Sequence, residues 1–220
     1  MIPPARNGEF VAQMEQVLDV YKRPYDPRRP LICMDETPRQ LIREIRTPLP
    51  ASRGGVVRYD YEYERCGVCN VFMAVEPLVG RRIVEVTERK TKKDWARFIE
   101  RIAGLHPEAE KITLVMDNLS THGPGALYES FPAAVAKGLW DRFEFVYTPK
   151  HGSWLNMAEI ELSVLTRQCL ARRIDNLEEM RGEVDSWRNQ RNNADAKIDW
   201  RFTSEDARIK LRRLYPTFQT

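Results

Sequence analysis

The chain has 220 residues, 42% hydrophobic and 30% charged, with 35 Lys and Arg against 32 Asp and Glu for a formal charge of +3. That length carries one domain with a sizeable core, and the ordinary composition argues against a disordered chain or a disulfide scaffold. Any basic footprint must be local; no apolar run is long enough to span a bilayer and the opening residues lack signal-peptide regions, so a cytoplasmic protein with no membrane partner is expected.

Phe10, Val11, Met14, Val17, Leu18 and Tyr21 recur at helical spacing from about Asn7 to Tyr21, and Pro24, Pro27 and Pro30 follow as a stiff linker. A short apolar run from Pro30 then stops at Asp35 and Glu36, which predicts a buried strand delivering acid at its end. The stretch from Pro48 to Arg58 predicts a loop; Cys66 to Val75 and Arg81 to Thr87 predict strands joined by a turn at Pro77 to Gly80. Trp95, Phe98, Ile99 and Ile102 predict a helix over Lys92 to Ala103, with Gly104 as its stop.

Lys111 to Met116 is a second β-rich run ending in an acid, Asp117. A helix is predicted between about Pro124 and Leu139, a strand over Phe143 to Thr148, and a helix capped by Asn156 that reaches about Leu170. Two more helices are predicted, over Asn176 to Asn189 and Thr203 to Leu214, the latter opened by a capping box at Thr203 and Asp206. This order describes an α/β domain with a mixed sheet and an antiparallel portion, and it disfavours a Rossmann fold. The domain division is residues 1–28, a helix and Pro-rich linker, and 29–220, the main domain with a C-terminal helical extension.

Four cysteines include one Cys-x-x-Cys pair, Cys66 and Cys69. A structural zinc site needs four ligands, and no second pair stands at suitable spacing, so reduced structural thiols are expected.

Asp35, Asp117 and Glu159, separated by 82 and 42 positions, stand at two strand ends and near a helix start. Adjacent strand ends lie roughly 5 Å apart, so the two aspartates can share ions if their strands are neighbours. An all-carboxylate cluster suits Mg²⁺ or Mn²⁺, and two such ions support in-line phosphoryl displacement. Position alone leaves open that these are ordinary solvated acids. Glu161 rivals Glu159, because residues two apart on a helix face nearly opposite ways and periodicity does not choose between them.

At these residues the chain resembles the bacterial insertion sequence six-thirty branch of the mariner-like DDE transposases. The matches are Cys33 to Glu36, Leu114 to His122 and the long run from Tyr147 to Glu159, with further likeness at Arg58 to Tyr63 and Thr203 to Pro216. The resemblance implies an RNase H-like fold, a mixed five-stranded sheet flanked by helices. It also implies a catalytic, metal-binding triad of Asp35, Asp117 and Glu159 holding two Mg²⁺ or Mn²⁺ ions, with Glu36 as a supporting acid. The implied activity is metal-dependent cleavage of double-stranded DNA at mobile-element ends and strand transfer into a target, commonly containing TA, by a DNA-bound homodimer. Family members carry a helix-turn-helix module ahead of this domain; here one helix precedes the first strand, so a separate or missing DNA-reading module is expected.

His122, Lys150 and His151 are candidates to contact phosphate or orient water, Trp154 to stack on a base, and Arg212 and Arg213 to grip the backbone. Each has an ordinary structural alternative. Competing functions are a catalytically silent DNA-binding remnant, a related nuclease of RNA or junctions, and a receiver-type phosphoacceptor using Asp35, Ser120 or Thr121, and Lys150; the two strands after Asp35 argue against the last.

Overall fold

The computed structural model describes residues 7–46 and 62–217, so the loop expected from Pro48 to Arg58 and the likeness at Arg58 to Tyr61 lie outside the described residues. Helix α1 (Gly8–Tyr21) precedes β1 (Leu31–Glu44), β2 (Tyr63–Glu76), β3 (Arg81–Thr87), α2 (Lys92–Leu105) and β4 (Ile112–Met116). Helices α3 (Pro124–Tyr128) and α4 (Ala133–Asp141), β5 (Phe143–Tyr147), α5 (Met157–Gln168), α6 (Leu177–Asn193) and α7 (Ser204–Lys210) complete the order. The strands form one five-stranded sheet in the order β3-β2-β1-β4-β5. β1, β2 and β3 are antiparallel neighbours, while β1, β4 and β5 run parallel. The expected mixed five-stranded α/β sheet is therefore present.

Strand side chains alternate between faces, and this sheet buries both. One face, carrying Cys33, Val71, Val84, Val115 and Val146, packs against α1, α5, α6 and α7. The other, carrying Ile32, Met34, Phe72, Leu114 and Met116, packs against α2, α3 and α4. Burial on both sides explains why β4 reads as an unbroken apolar run. The periodic residues of α2 (Trp95, Phe98, Ile99 and Ile102) and of α1 (Met14, Val17 and Leu18) are fully buried, as their spacing predicts.

Several boundaries differ from the sequence reading: β2 begins at Tyr63, α6 runs on to Asn193, and the helix expected over Thr203 to Leu214 ends at Lys210, before a 3-10 turn over Arg212–Leu214. β1 does not stop at its acids but continues to Glu44, because β2 pairs with it from Cys33↔Val75 to Glu44↔Tyr63. Gly104 lies inside α2, which ends at Leu105 with His106 as its cap. The single helix expected between Pro124 and Leu139 is two, since Pro132 has no amide hydrogen to donate and disfavours helical geometry at Phe131. The β2–β3 turn comes where expected: Gly80 has φ +81°, and a Cβ there would stand 2.7 Å from the Asp195 backbone. Among the described residues no helix is long and apolar enough to cross a membrane, and all four cysteines are free thiols.

Candidate active site

β1 and β4 are parallel neighbours, paired at Leu31↔Thr113, Ile32↔Leu114 and Cys33↔Val115. The offset between partners is 82 residues, the same as that from Asp35 to Asp117, so the register carried two residues on brings Asp117, one residue past the end of β4, alongside Asp35. Asp35 lies two residues beyond Cys33 and shares its face, the one that α5 covers; Asp117 stands one residue past the end of β4, and its carboxylate meets His122, whose ring stacks on Trp95 of the other face.

Helix α5 starts at Asn156, whose Oδ1 accepts from the Ala158 amide at 3.1 Å. The same side chain, 1% exposed, donates through Nδ2 to Met34 O at 2.7 Å and towards Asp35 Oδ2 at 3.4 Å. One asparagine thus caps the helix and ties its first turn to the strand that carries Asp35. A second tie comes from α1: Tyr21 donates its hydroxyl to Leu155 O at 2.7 Å, and the Cys33 thiol lies 3.6 Å from that hydroxyl.

Glu159 sits exposed in the first turn of α5. Burial pushes the Asp35 carboxyl up to about 7, and repulsion from Glu159 adds to it, followed by Glu36 and Asp117, against a lowering hydrogen bond from the Glu36 amide. Glu161, two residues on, points the other way and is 1% exposed. Its Oε2 accepts from Arg82 Nε and its Oε1 from Arg191 Nη2, both at 2.8 Å, so its oxygens are already occupied. Burial would raise that carboxyl, yet the two guanidiniums hold it below the usual range.

Glu36 is one residue from Asp35 and so turns to the opposite face. Its side chain is 1% exposed and lies 3.0 Å from Lys90 Nζ and 3.4 Å from His122 Nε2. The latter is an ion-pair separation too poorly aligned to be a hydrogen bond, leaving Glu36 Oε2 and His122 Nε2 without hydrogen-bond partners. His122 Nδ1 is 2.8 Å from Asp117 Oδ1, and its ring stacks on Trp95 at 5.6 Å. Burial alone would lower the imidazole; Asp117 and Glu36 outweigh it and raise it to about 9. A charged relay thus runs from Lys90 through Glu36 and His122 to Asp117.

Among the described residues, Glu36, Asp117 and His122 form the one group of three whose donor atoms all lie within 4.8 Å of one another. Between its two carboxylates stands an imidazole held protonated into the alkaline range, so an ion there must displace a proton that both acids favour. Asp35, Asp117 and Glu159 are more open than that group, but they offer carboxylate oxygens with no Lys, Arg or His paired to Asp35 or Glu159. Hard divalent cations take such donors, and the unrelieved repulsion at Asp35 is what a cation would remove.

A groove of about 780 Å³ opens beside Asp117, lined by Asn118, Thr148, Pro149, Lys150, His151 and Ser153 and, across it, by Phe10 and Gln13 of α1. Lys150 and His151 are exposed on its wall. His151 has φ +67°, and the turn is tight enough that a Cβ on Gly152 would stand 2.6 Å from Pro149. His122 is not on the surface: at 3% exposure it holds Asp117 and presents no edge to DNA. Trp154 is half-buried and meets Phe202 edge-on at 5.9 Å, a packing role that occupies its ring. Arg212 and Arg213 are exposed on a 3-10 turn after α7 and do not line the groove.

Sequence reasoning treated Asn156 only as a cap and passed over Lys90, Arg82 and Arg191. The first had a readable signal in its position before the helix; the others come from distant elements and gave none.

A family model described as DDE superfamily endonuclease matches residues 30–181. The chain is also similar to a crystal structure of the mariner Mos1 paired end complex with Mg, at TM-score 0.59 and 14% identity over 99% of this chain and 66% of that one. A Mos1 paired end complex with Mn gives TM-score 0.56 and 14% identity over 89% and 60%. The Mos1 strand transfer complex gives 0.54 and 12% over 91% and 65%. At such identities the likeness is one of fold, RNase H-like, and the chain spans less than two thirds of the length of those proteins. No curated protein sequence matches it.

Proposed function

Because the chain belongs to the DDE superfamily endonucleases, we propose that it is the catalytic domain of a transposase that cuts DNA at mobile-element ends and joins them to target DNA. The observation that carries this reading is the β1–β4 register, which brings Asp117 at the exit of β4 alongside Asp35, with Glu159 close enough to raise Asp35 and no cationic side chain paired to Asp35 or Glu159.

In this reading Asp35, Asp117 and Glu159 hold Mg²⁺ or Mn²⁺, two ions at a time. The metal, when bound, supplies the Lewis acidity that activates an attacking oxygen and stabilises the leaving one. Asn156 orients Asp35 and fixes the first turn of α5, which aims Glu159. His122 donates to Asp117 and keeps that carboxylate ionised and aimed, while Trp95 and Glu36 hold the ring. Lys150 and His151 receive phosphate along the groove, and Arg212 and Arg213 serve as more distant backbone contacts. Glu161 stays outside the metal site, committed to Arg82 and Arg191.

The Mos1 paired end and strand transfer complexes support double-stranded DNA as the partner, and the working assembly in this reading is a DNA-bound homodimer. End recognition falls to a helix-turn-helix module outside this domain, and target choice to TA-containing sequence. The test is incubation of labelled element-end duplex with Mn²⁺ and the chain joined to such a module. Wild type should nick the duplex and Asp117→Asn should not. Equal cleavage by both, or no Mn²⁺ binding in calorimetry, would leave a silent DNA-binding remnant as the better reading.

A further inference from the structure

Arg39 has a charge without a counter-charge. It sits on β1 four residues past Asp35 and therefore on the same face, half-buried against α5. Its Nη2 donates to the Thr166 hydroxyl, which in turn donates to Leu162 O at 2.7 Å. Its Nε is buried with no partner, and no carboxylate of the described residues pairs with it. Burial lowers its affinity for its proton, with only the Cys69 thiol acting the other way. The buried Arg82 and the half-buried Arg191 are matched by Glu161, and the half-buried Arg142 is satisfied by the carbonyls of Ala103, His106 and Ala109, whereas Arg39 has one hydroxyl.

The placement of this charge is informative. Asp35 and Glu159 mark one contact between β1 and α5, and Arg39 and Thr166 mark another further along both. Four strand residues span about 13 Å and seven helical residues about 10 Å, so strand and helix leave the acids in the same direction. β4 ends at Met116 and pairs with β1 only as far as Cys33, so the outer edge of β1 beside Arg39 carries no strand among the described residues.

Resting on the function proposed above, we infer that Arg39 is a phosphate seat. Its guanidinium, pinned by Thr166, takes a backbone phosphate of the DNA strand that leaves the acidic site along β1 and α5, a few nucleotides from the phosphate being cut. A planar fork fixed on one side by a hydroxyl presents its remaining donors already oriented, which suits a phosphate better than a flexible lysine would. The contact is with the backbone and independent of base sequence.

Anisotropy of a fluorescein-labelled DNA duplex in EDTA tests this without any cleavage, over a series of salt concentrations. Arg39→Gln should weaken binding on the order of tenfold for any duplex sequence and reduce the slope of log K against log salt by about 0.9, the value of one phosphate contact. Arg39→Lys should keep the wild-type slope. Thr166→Val, which leaves the charge but frees it, should weaken binding and keep the slope, and it carries the test if Arg39→Gln melts early. A single neutral methylphosphonate linkage, walked along one strand, should remove the effect of both variants at one position only. An unchanged slope in Arg39→Gln, or a variant whose only change is the sedimentation of the free protein, overturns the seat in favour of packing or a protein partner. If the wild type binds no duplex, the transposase reading fails with it; if the wild type binds and Arg39 is silent, only the seat fails.

Discussion

Two acids on the same helix, Glu159 and Glu161, lie two residues apart and serve opposite arrangements. Around Glu161 the fold supplies its own positive charge: Arg82 from β3 and Arg191 from α6 occupy both oxygens, and the cluster is closed. Beside Glu159 the fold brings Asp35 and pairs no cationic side chain with either acid, so Asp35 is driven up to about 7 by burial and then by Glu159. A closed ion cluster fixes where α5 sits; an unfinished one marks where a cation from solution is wanted. The contrast separates an acid that the fold neutralises from one that it leaves unpaired, where sequence periodicity does not.

The hardest blow to the open cluster is loss of a ligand. Asp35→Asn, Asp117→Asn or Glu159→Gln should each lower Mn²⁺-dependent nicking on the order of a thousandfold, about 4 kcal/mol of transition-state stabilisation, read as single-turnover cleavage of a labelled duplex. If Glu161→Gln instead gave that loss in a protein of wild-type stability, the assignment of the two acids would be reversed.

The closed cluster is broken through stability. Arg82→Met leaves Glu161 buried with Arg191 alone and should cost about 3–5 kcal/mol in urea unfolding. Adding Glu161→Leu should recover part of that loss, because it removes the uncompensated charge.

A smaller effect is expected from the relay that connects the faces of the sheet. His122→Ala should weaken Mn²⁺ binding about 10- to 100-fold by calorimetry, since Asp117 then loses the donor that aims it. Glu36→Gln should do the same more weakly; tighter metal binding in either variant would contradict a supporting role.

The smallest effect is a pH dependence of the metal-free protein. The folded carboxyl of Asp35, near 7, lies above its ordinary 3.8, so its contribution to stability is complete below about pH 4 and is lost as pH rises through 7. Asp35→Asn should therefore be more stable than wild type by about 1–2 kcal/mol at pH 8, with the gap closing towards pH 4, measured by thermal melting in EDTA. A gap that widened on acidification would show that Asp35 is held ionised by a cation the fold provides.

Much of this site could be read in the chain. The apolar runs ending in Asp35 and Asp117 predicted two buried strands, and a spacing of 82 residues becomes the register offset once those strands pair. Asn156 before an apolar-periodic stretch predicted the start of α5. β1 was read too short because Thr37, Pro38, Arg39 and Gln40 end its apolar run. They stay in the strand because β2 pairs with one edge, and the absent Pro38 amide is tolerated where β4 leaves the other edge free. For His122 the sequence leaves a phosphate contact, a water-orienting role and an ordinary loop residue all open, because a polar loop gives no sign of the Trp95 ring that buries it.

The sequence by itself determined the elements, their order and the residues able to carry metal chemistry, because hydrophobic period, caps and prolines act over a few neighbouring residues. Tertiary structure alone decided which acid faces the site and which is neutralised, since that depends on Arg82, Arg191, Lys90 and His122 arriving from elements far apart in the chain. Charge compensation is a property of neighbours in space, and no local pattern records it.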